Sequence, residues 1–313
     1  MKRIIVLGSV NTDFVLAVAH LPRPGETVAG GSLATHSGGK GANQAVAAAR
    51  LGASVTMVGR VGGDAFGDRL SRNLAEAGVD AVGLGVDPAA ASGAALILVD
   101  PQAENVIAIA PGANAQVGQA EVERALRHLG AADLLVLQLE VPLAAVEQAA
   151  REARARGASV LLNAAPATQL SDELLGTVDV LIVNEAEAAL IAGVPAERAG
   201  RELRRRGAGS VITTLGDRGV VIDAERRSAL PVQRVAAVDT TAAGDAFVGG
   251  LAAALAAGAD LEAAARLGSA VAAAAVTRHG AQSSLPDREE LRRITGVDWD
   301  AALAKSSTGG IDA

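Results

Sequence analysis

The sequence predicts an α/β protein: a doubly wound, mainly parallel sheet flanked by helices, with a small β-sheet standing apart as a lid. Three observations predict it. Short apolar runs alternate with longer helical patterns, the rhythm of repeated βα units. Several runs are apolar on successive residues, as strands covered on both faces require. Polar or glycine-rich clusters come after run after run, at the carboxyl ends where such sheets bind ligands.

Taken in order, Lys2–Leu7 reads as a buried first strand; its apolar run is too short for a secretory signal, and Asn11 and Asp13 break the apolar character soon after it. Residues 14–35 alternate loosely around the turn Pro22-Arg23-Pro24-Gly25 and carry no helix. A helix is expected at Gln44–Leu51, a strand at Ser54–Val58 and a helix at Phe66–Ala77. Gly93–Val99 and Asn105–Ala110 flank the turn Asp100-Pro101-Gln102-Ala103-Glu104 as a hairpin. Strands without crossover helices, about 14–35 and 93–110, make the small sheet.

Further helices are expected at Glu121–Leu129, Leu143–Arg156 and Ala199–Arg206, with strands at Leu134–Leu139, Ser159–Leu162, Val180–Val183 and Val211–Thr214. Gly52, Gly78, Gly130 and Gly157 mark helix stops. An Ala/Leu-rich helical pattern begins near Asp245. Residues 1–304 read as one domain, and residues 305–313 as an unstructured tail.

Composition narrows the function classes. The 313 residues carry a net charge of −7 and only 1% aromatics, so neither a basic footprint nor stacking platforms for nucleic acid exist. No cysteine is present, which excludes disulfides and thiol chemistry and suits a reducing compartment. The Ala-rich stretch 263–276 is interrupted by Arg266 and too short to span a bilayer. A soluble, cytoplasmic protein without membrane or nucleic-acid partners is expected.

The polar clusters carry the chemistry. Asn11 and Asp13 sit at alternate positions after the first strand and can face neighbouring hydroxyls of a polyol, although an Asx-turn is the plainer reading. Ser37-Gly38-Gly39-Lys40-Gly41-Ala42-Asn43-Gln44 opens a helix where glycines admit a ligand to the backbone; the Walker spacing is absent. Glu140 succeeds strand 134–139, Asn184-Glu185-Ala186-Glu187 succeeds strand 180–183, and Thr214 to Gly219 ends strand 211–214. Each alone is an ordinary loop, but all fall at one end of one sheet.

Val238-Asp239-Thr240-Thr241-Ala242-Ala243-Gly244-Asp245 then precedes the Ala/Leu-rich helix. Asp245 at a helix start is most simply a cap. The tiny residues before it, however, leave orphan N–H groups unscreened, an anion hole for charge on a transferring phosphoryl group. A carboxylate at its edge could take the proton from an attacking hydroxyl.

Together these motifs resemble the PfkB, or ribokinase, family of carbohydrate kinases, over about residues 2–290. Gly38 to Ala45 and Asp239 to Asp245 carry the resemblance; Leu21 to Thr27 and Val276 to Gln282 are similar to its ribokinase branch. The resemblance implies ATP-dependent phosphorylation of D-ribose at the 5-hydroxyl. It gives Asp245 the role of base and Ala242, Ala243 and Gly244 that of anion hole. It places Asn11, Asp13, Gly39, Lys40, Asn43, Glu140 and Asp245 on the sugar, and Asn184, Thr214, Gly216, Gly219, Gly244 and Ser269 beside the nucleotide. It implies Mg²⁺, linked indirectly to Glu187, and K⁺ at Asp239, Thr241, Ala275, Arg278, Gly280 and Ser284. The small sheet matches a lid that pairs two subunits into a homodimer.

Two positions depart from the family pattern. Ser269 stands where a larger His or Asn is frequent beside the adenine, and Thr241 where the ribokinase branch commonly has Ile. Open alternatives are a sister kinase of deoxyribose, another sugar or a nucleoside, and a catalytically silent sugar-binding protein. A dinucleotide-dependent oxidoreductase comes third, since no G-x-G-x-x-G comes after the first strand.

Overall fold

β1 (Ile4–Leu7) shows why the sheet is covered twice. All four of its residues are buried; Ile4 and Val6 join the apolar core on one face, Ile5 and Leu7 the core on the other. The computed structural model describes residues 2–102 and 104–308.

Among the described residues nine strands form the main sheet. They run in the order β5 (Asp80–Asp87), β4 (Val55–Gly62), β1, β8 (Leu134–Leu137), β9 (Ser159–Asn163), β10 (Val180–Asn184), β11 (Ser210–Thr214), β12 (Val220–Asp223), β13 (Arg227–Leu230). β5 to β11 are parallel, and β12 and β13 close the edge as an antiparallel hairpin. Strand order reverses between β1 and β8, the switch point where such sheets open a crevice.

One face is covered by α1 (Lys40–Arg50), α2 (Ala65–Glu76), α8 (Ala243–Ala256), α9 (Leu261–Ala275), α10 (Arg288–Thr295) and α11 (Trp299–Thr308). The other carries α3 (Gln119–His128), α4 (Leu143–Ala155), α5 (Asp172–Leu175), α6 (Glu185–Ala192) and α7 (Ala196–Arg205). The abundant Ala and Gly have a packing role on the first face. A Cβ on Gly249 of α8 would fall 2.4 Å from the Ala47 Cβ and 2.7 Å from the Gln44 carbonyl of α1. α1 and α8 therefore meet nearly backbone to backbone, and that contact brings the first turn of α1 to the first turn of α8.

The small sheet has the order β3 (Gly30–Gly38), β2 (Asn11–Val18), β6 (Gly93–Val99), β7 (Asn105–Ala110). It begins earlier and ends later than the stretch 14–35 suggests, because β2 continues straight from the polar cluster after β1. Register aligns Leu33, Leu16, Leu98 and Val106 in one row across one face. Leu33, Leu96, Val106, Ile107 and Ile109 are large apolar side chains left exposed.

Some expectations need correction. α11 runs to Thr308, into the stretch read as tail; residues 309–313 lie outside the described ones. Gly52, Gly78 and Gly157 take positive φ after their helices, but Gly130 does not. There the chain leaves α3 in extended conformation at Leu129, and the Gly130 N–H donates to Asp133 Oδ2 at 2.8 Å. β5, β12 and β13 were not foreseen. No helix among the described residues is long and apolar enough to cross a membrane.

Candidate active site

Asp245 is not the cap of its helix. It lies inside α8, whose N-cap is Ala242, and its carboxylate faces α1. Oδ2 accepts from Asn43 Nδ2 and Oδ1 from Gln44 Nε2, both at 2.9 Å. The residue is 6% exposed, so this carboxylate is buried with one neutral amide on each oxygen.

The polar residues after β1 gather beside it. The Asn11 side chain accepts from Asn114 Nδ2 at 2.7 Å, and Asn114 is itself fixed by the backbone N–H and C=O of Val10. Asp13 is buried; burial, then the carboxylates of Glu140 and Asp245, push its pKa up to about 7. Glu140 accepts the Lys40 N–H at 3.0 Å and the Ser9 hydroxyl at 2.5 Å, so it binds the first turn of α1 to the end of β1. Gly39, at φ 89°, lies too close to Val10 and Asn11 for any side chain. The Lys40 ammonium is held above its ordinary pKa, first by Asp245, against its burial, and further by Glu140 and Glu187. Two buried oxygens near this cluster, Thr12 Oγ1 and Asn43 Oδ1, have no partner among the described residues. Buried polar atoms without partners in a folded protein ask for a ligand or water.

The start of α8 adds one detail. Ala242 holds a left-handed conformation, φ 59° and ψ 11°, which turns the chain sharply into the helix. The Ala243 N–H donates back to the Thr240 carbonyl at 3.2 Å and is not free. The N–H groups of Ala242, Gly244 and Asp245 have no backbone partner among the described residues. Of the run 242–244, the Ala243 N–H is thus taken up within the turn. A Cβ on Gly244 would meet nothing within 4 Å, so these donors face open space.

That space is a cleft of about 960 Å³, lined by Asn184, Thr214, Gly216, Gly219, Gly244 and Ser269 among others. All six residues expected beside a nucleotide thus share one cavity. Its walls include Val220, Val235, Phe247 and Ala272, apolar surface suited to a planar base. Glu187 is half-buried and forms a capping box at the start of α6, exchanging bonds with Asn184 at 2.8 Å each. Burial raises its pKa, against the Asn184 N–H and Lys40, and Asp245 adds to the rise.

Asp239, Thr241, Ala275, Arg278, Gly280 and Ser284 are brought together. Asp239 accepts the N–H groups of Thr241 and Gly280, both at 2.8 Å; these outweigh its burial and hold its pKa below the ordinary value. The Asp239 N–H reaches the Val276 carbonyl at 3.2 Å, and that of Arg278 the Ala275 carbonyl at 3.2 Å. The Arg278 guanidinium pairs with Glu290 and donates to the Ser284 carbonyl at 2.8 Å, so that oxygen is already engaged. The Ala275 carbonyl is engaged in the same way by the Arg278 N–H, and the groups gathered here are hard oxygen donors. No group of three His, Cys, Asp or Glu side chains that could hold a metal occurs among the described residues.

Residues 1–288 match the description "pfkB family carbohydrate kinase". The chain belongs to that family. It is 41% identical over 296 residues to a ribokinase of Haemophilus influenzae, covering 92% of this chain and 97% of that one. It is 37% identical over 303 residues to a deoxyribokinase of Salmonella typhimurium, covering 94% and 99%. The structure of an Arabidopsis thaliana ribokinase complexed with ribose and ATP superposes with a TM-score of 0.86 at 29% identity, covering 95% of this chain and all of that one. In this pfkB-family chain several site residues escaped the sequence reading. Gln138 and Asn163, at the ends of β8 and β9, obey the same strand-end rule as Glu140 and could have been found by it. Ser9, just after β1, obeys it too, and Gln44 closes the glycine-rich motif; Asn114 offered no such signal, since its partners Val10 and Asn11 lie 104 and 103 residues away.

Proposed function

We propose that this chain transfers the terminal phosphoryl group of ATP to the 5-hydroxyl of D-ribose, giving D-ribose 5-phosphate and ADP. The observation that carries the reading is Asp245. A buried carboxylate stands between a polar pocket with unpartnered acceptors and the cleft onto which the N–H groups of α8 open. In this reading Asn11, Asp13, Gly39, Lys40, Asn43 and Glu140 hold the sugar. Asp245 takes the proton of the 5-hydroxyl as its oxygen bonds to the γ-phosphorus; the bond to the β,γ-bridging oxygen breaks and ADP leaves. The Gly244 and Asp245 N–H groups, with Ala242 shaping the turn and Ala243 bracing it through Thr240, meet the charge that develops.

Mg²⁺ would arrive on the nucleotide phosphates, where it neutralises charge, with Glu187 on its outer side. K⁺ would lie at the Asp239–Ser284 cluster, bound by carbonyls and ordering the turn that leads into α8. Residues 14–35 and 93–110 would act as a lid that excludes water, and their exposed apolar rows would pair two subunits. Ile107→Asp is then expected to convert a dimer to a monomer in light scattering; a wild type that is already monomeric refutes the pairing.

The test is ADP release with Mg²⁺-ATP and ribose, 2-deoxyribose, fructose or adenosine, each in K⁺ or Na⁺. Ribose-dependent turnover stimulated by K⁺ is expected, falling about 10²- to 10⁴-fold in Asp245→Asn. Preference for 2-deoxyribose would move the specificity toward the deoxyribokinase relative. Sugar binding without turnover would favour a silent binder, and equal rates in both salts would remove K⁺.

A further inference from the structure

Behind Asp245 stands a row of three amide side chains that the proposed mechanism does not use. Gln44 and Gln138 are at most 1% exposed, and Asn163 is buried with them. Asn163 Nδ2 donates to the Ile182 carbonyl of β10 at 3.3 Å, which turns its Oδ1 toward Gln44. A backbone carbonyl can only accept, so the direction of every bond in the row is set from that end.

Gln44 must then point Nε2 at Asn163 Oδ1, 3.1 Å away, and at Asp245 Oδ1, 2.9 Å away, using both amide hydrogens. Its Oε1 is left to accept from Gln138 Nε2 at 2.7 Å. The row ends at Gln138 Oε1, which is buried with no donor among the described residues. A carbonyl buried without a partner is a standing cost that an apolar side chain of similar shape would avoid. The contribution of Gln138 lies at its other end, where it forbids the Gln44 amide to flip.

We infer that Gln44, locked by Asn163 and Gln138, is a positioning residue that keeps an N–H donor on Asp245 Oδ1 and so fixes the rotation of the carboxylate. Oδ2, which among the described residues accepts only from Asn43, retains an acceptor site for the substrate proton. The inference rests on the proposed role of Asp245 as base. Lys40, Asp13 and Glu187 also face Asp245 from α1, β2 and α6, but none of them fixes its rotation by a hydrogen bond.

Two variants and one spectrum test it. In Gln44→Met, kcat falls by about ten- to a hundredfold, the worth of one hydrogen bond to a charged group, while KM for ribose and ATP stays within about twofold. In Gln138→Met, kcat falls in the same direction while the melting temperature holds or rises. A purely structural role would instead lower the melting temperature and leave kcat per folded molecule unchanged, and that result overturns the inference. Should Gln44→Met fail to fold, Gln138→Met decides alone. The ¹⁵N-resolved side-chain amide of Gln44 provides a readout free of turnover: its two protons lie away from free-amide shifts and exchange slowly with water in the wild type, and they move toward free-amide shifts and exchange faster in Gln138→Met. Free-amide shifts with fast exchange in the wild type refute the lock. If the wild type phosphorylates no sugar, the function fails and this spectrum still decides the inference.

Discussion

A side chain at residue 38 and the carboxylate of Asp13 exclude one another: a Cβ on Gly38 would fall 2.0 Å from Asp13 Oδ2 and 2.4 Å from its Cγ. The glycine ends β3, the acid belongs to β2, and the two strands pair beside each other. The vacancy at Gly38 is what lets Asp13 stand in the proposed sugar pocket. Gly38→Ala is expected to raise KM for ribose about tenfold or more, through displacement of one charged hydrogen-bond partner. KM for ATP is expected to stay unchanged, because the proposed nucleotide cleft lies beyond the start of α8. Steady-state kinetics decide it, and a parallel rise in both constants would sink the idea.

Asp13 also predicts a pH dependence of the free protein. Its pKa is raised by burial and by Glu140 and Asp245 from 3.8 to about 7, so the folded state holds this proton more tightly than the unfolded chain does. A carboxyl shifted upward contributes stability at low pH, and that contribution is lost as pH rises from about 4 through about 7. The shift is worth on the order of 4 kcal/mol across that window. Denaturant unfolding without ligands should show this declining component in the wild type and lack it in Asp13→Asn. Identical pH slopes in the two proteins would refute it.

Gly244→Ala should separate stability from catalysis. Nothing lies within 4 Å of the added methyl, and replacing a helical glycine by alanine contributes about 0.5–1 kcal/mol. The melting temperature is therefore expected to hold or rise. The same methyl stands over the donors facing the cleft, and kcat is expected to fall about tenfold or more. Unchanged kcat would remove the start of α8 from the chemistry.

Legibility depended on how each element is held. β1, β8, β9, β10 and β11 were visible because burial on both faces writes an unbroken apolar run into the sequence. β5 was not. Its glycines at 83 and 85 and its exposed Val82 and Val86 make a weak pattern, and it is held by its ladder to β4. Gly130 illustrates the same limit at a helix end, where the Asp133 carboxylate, three residues on, replaces the left-handed stop.

The sequence by itself determined which groups can do chemistry and that they cluster at one end of the sheet, because strand ends and helix starts are local events. Asn11, Asp13, Glu140, Asn184 and Thr214 were all legible from apolar runs that stop just before or at them. Only the tertiary structure decided which partner each group takes. Asp245 loses the role of cap because Asn43 and Gln44 reach it across 202 and 201 residues, and they do so only because Gly249 lets α8 settle onto α1. The Ala243 N–H is taken by the Thr240 carbonyl because the chain turns back on itself into α8. Hydrogen bonds are won at distances of about 3 Å, and residues far apart in sequence acquire such distances only once the helices have packed.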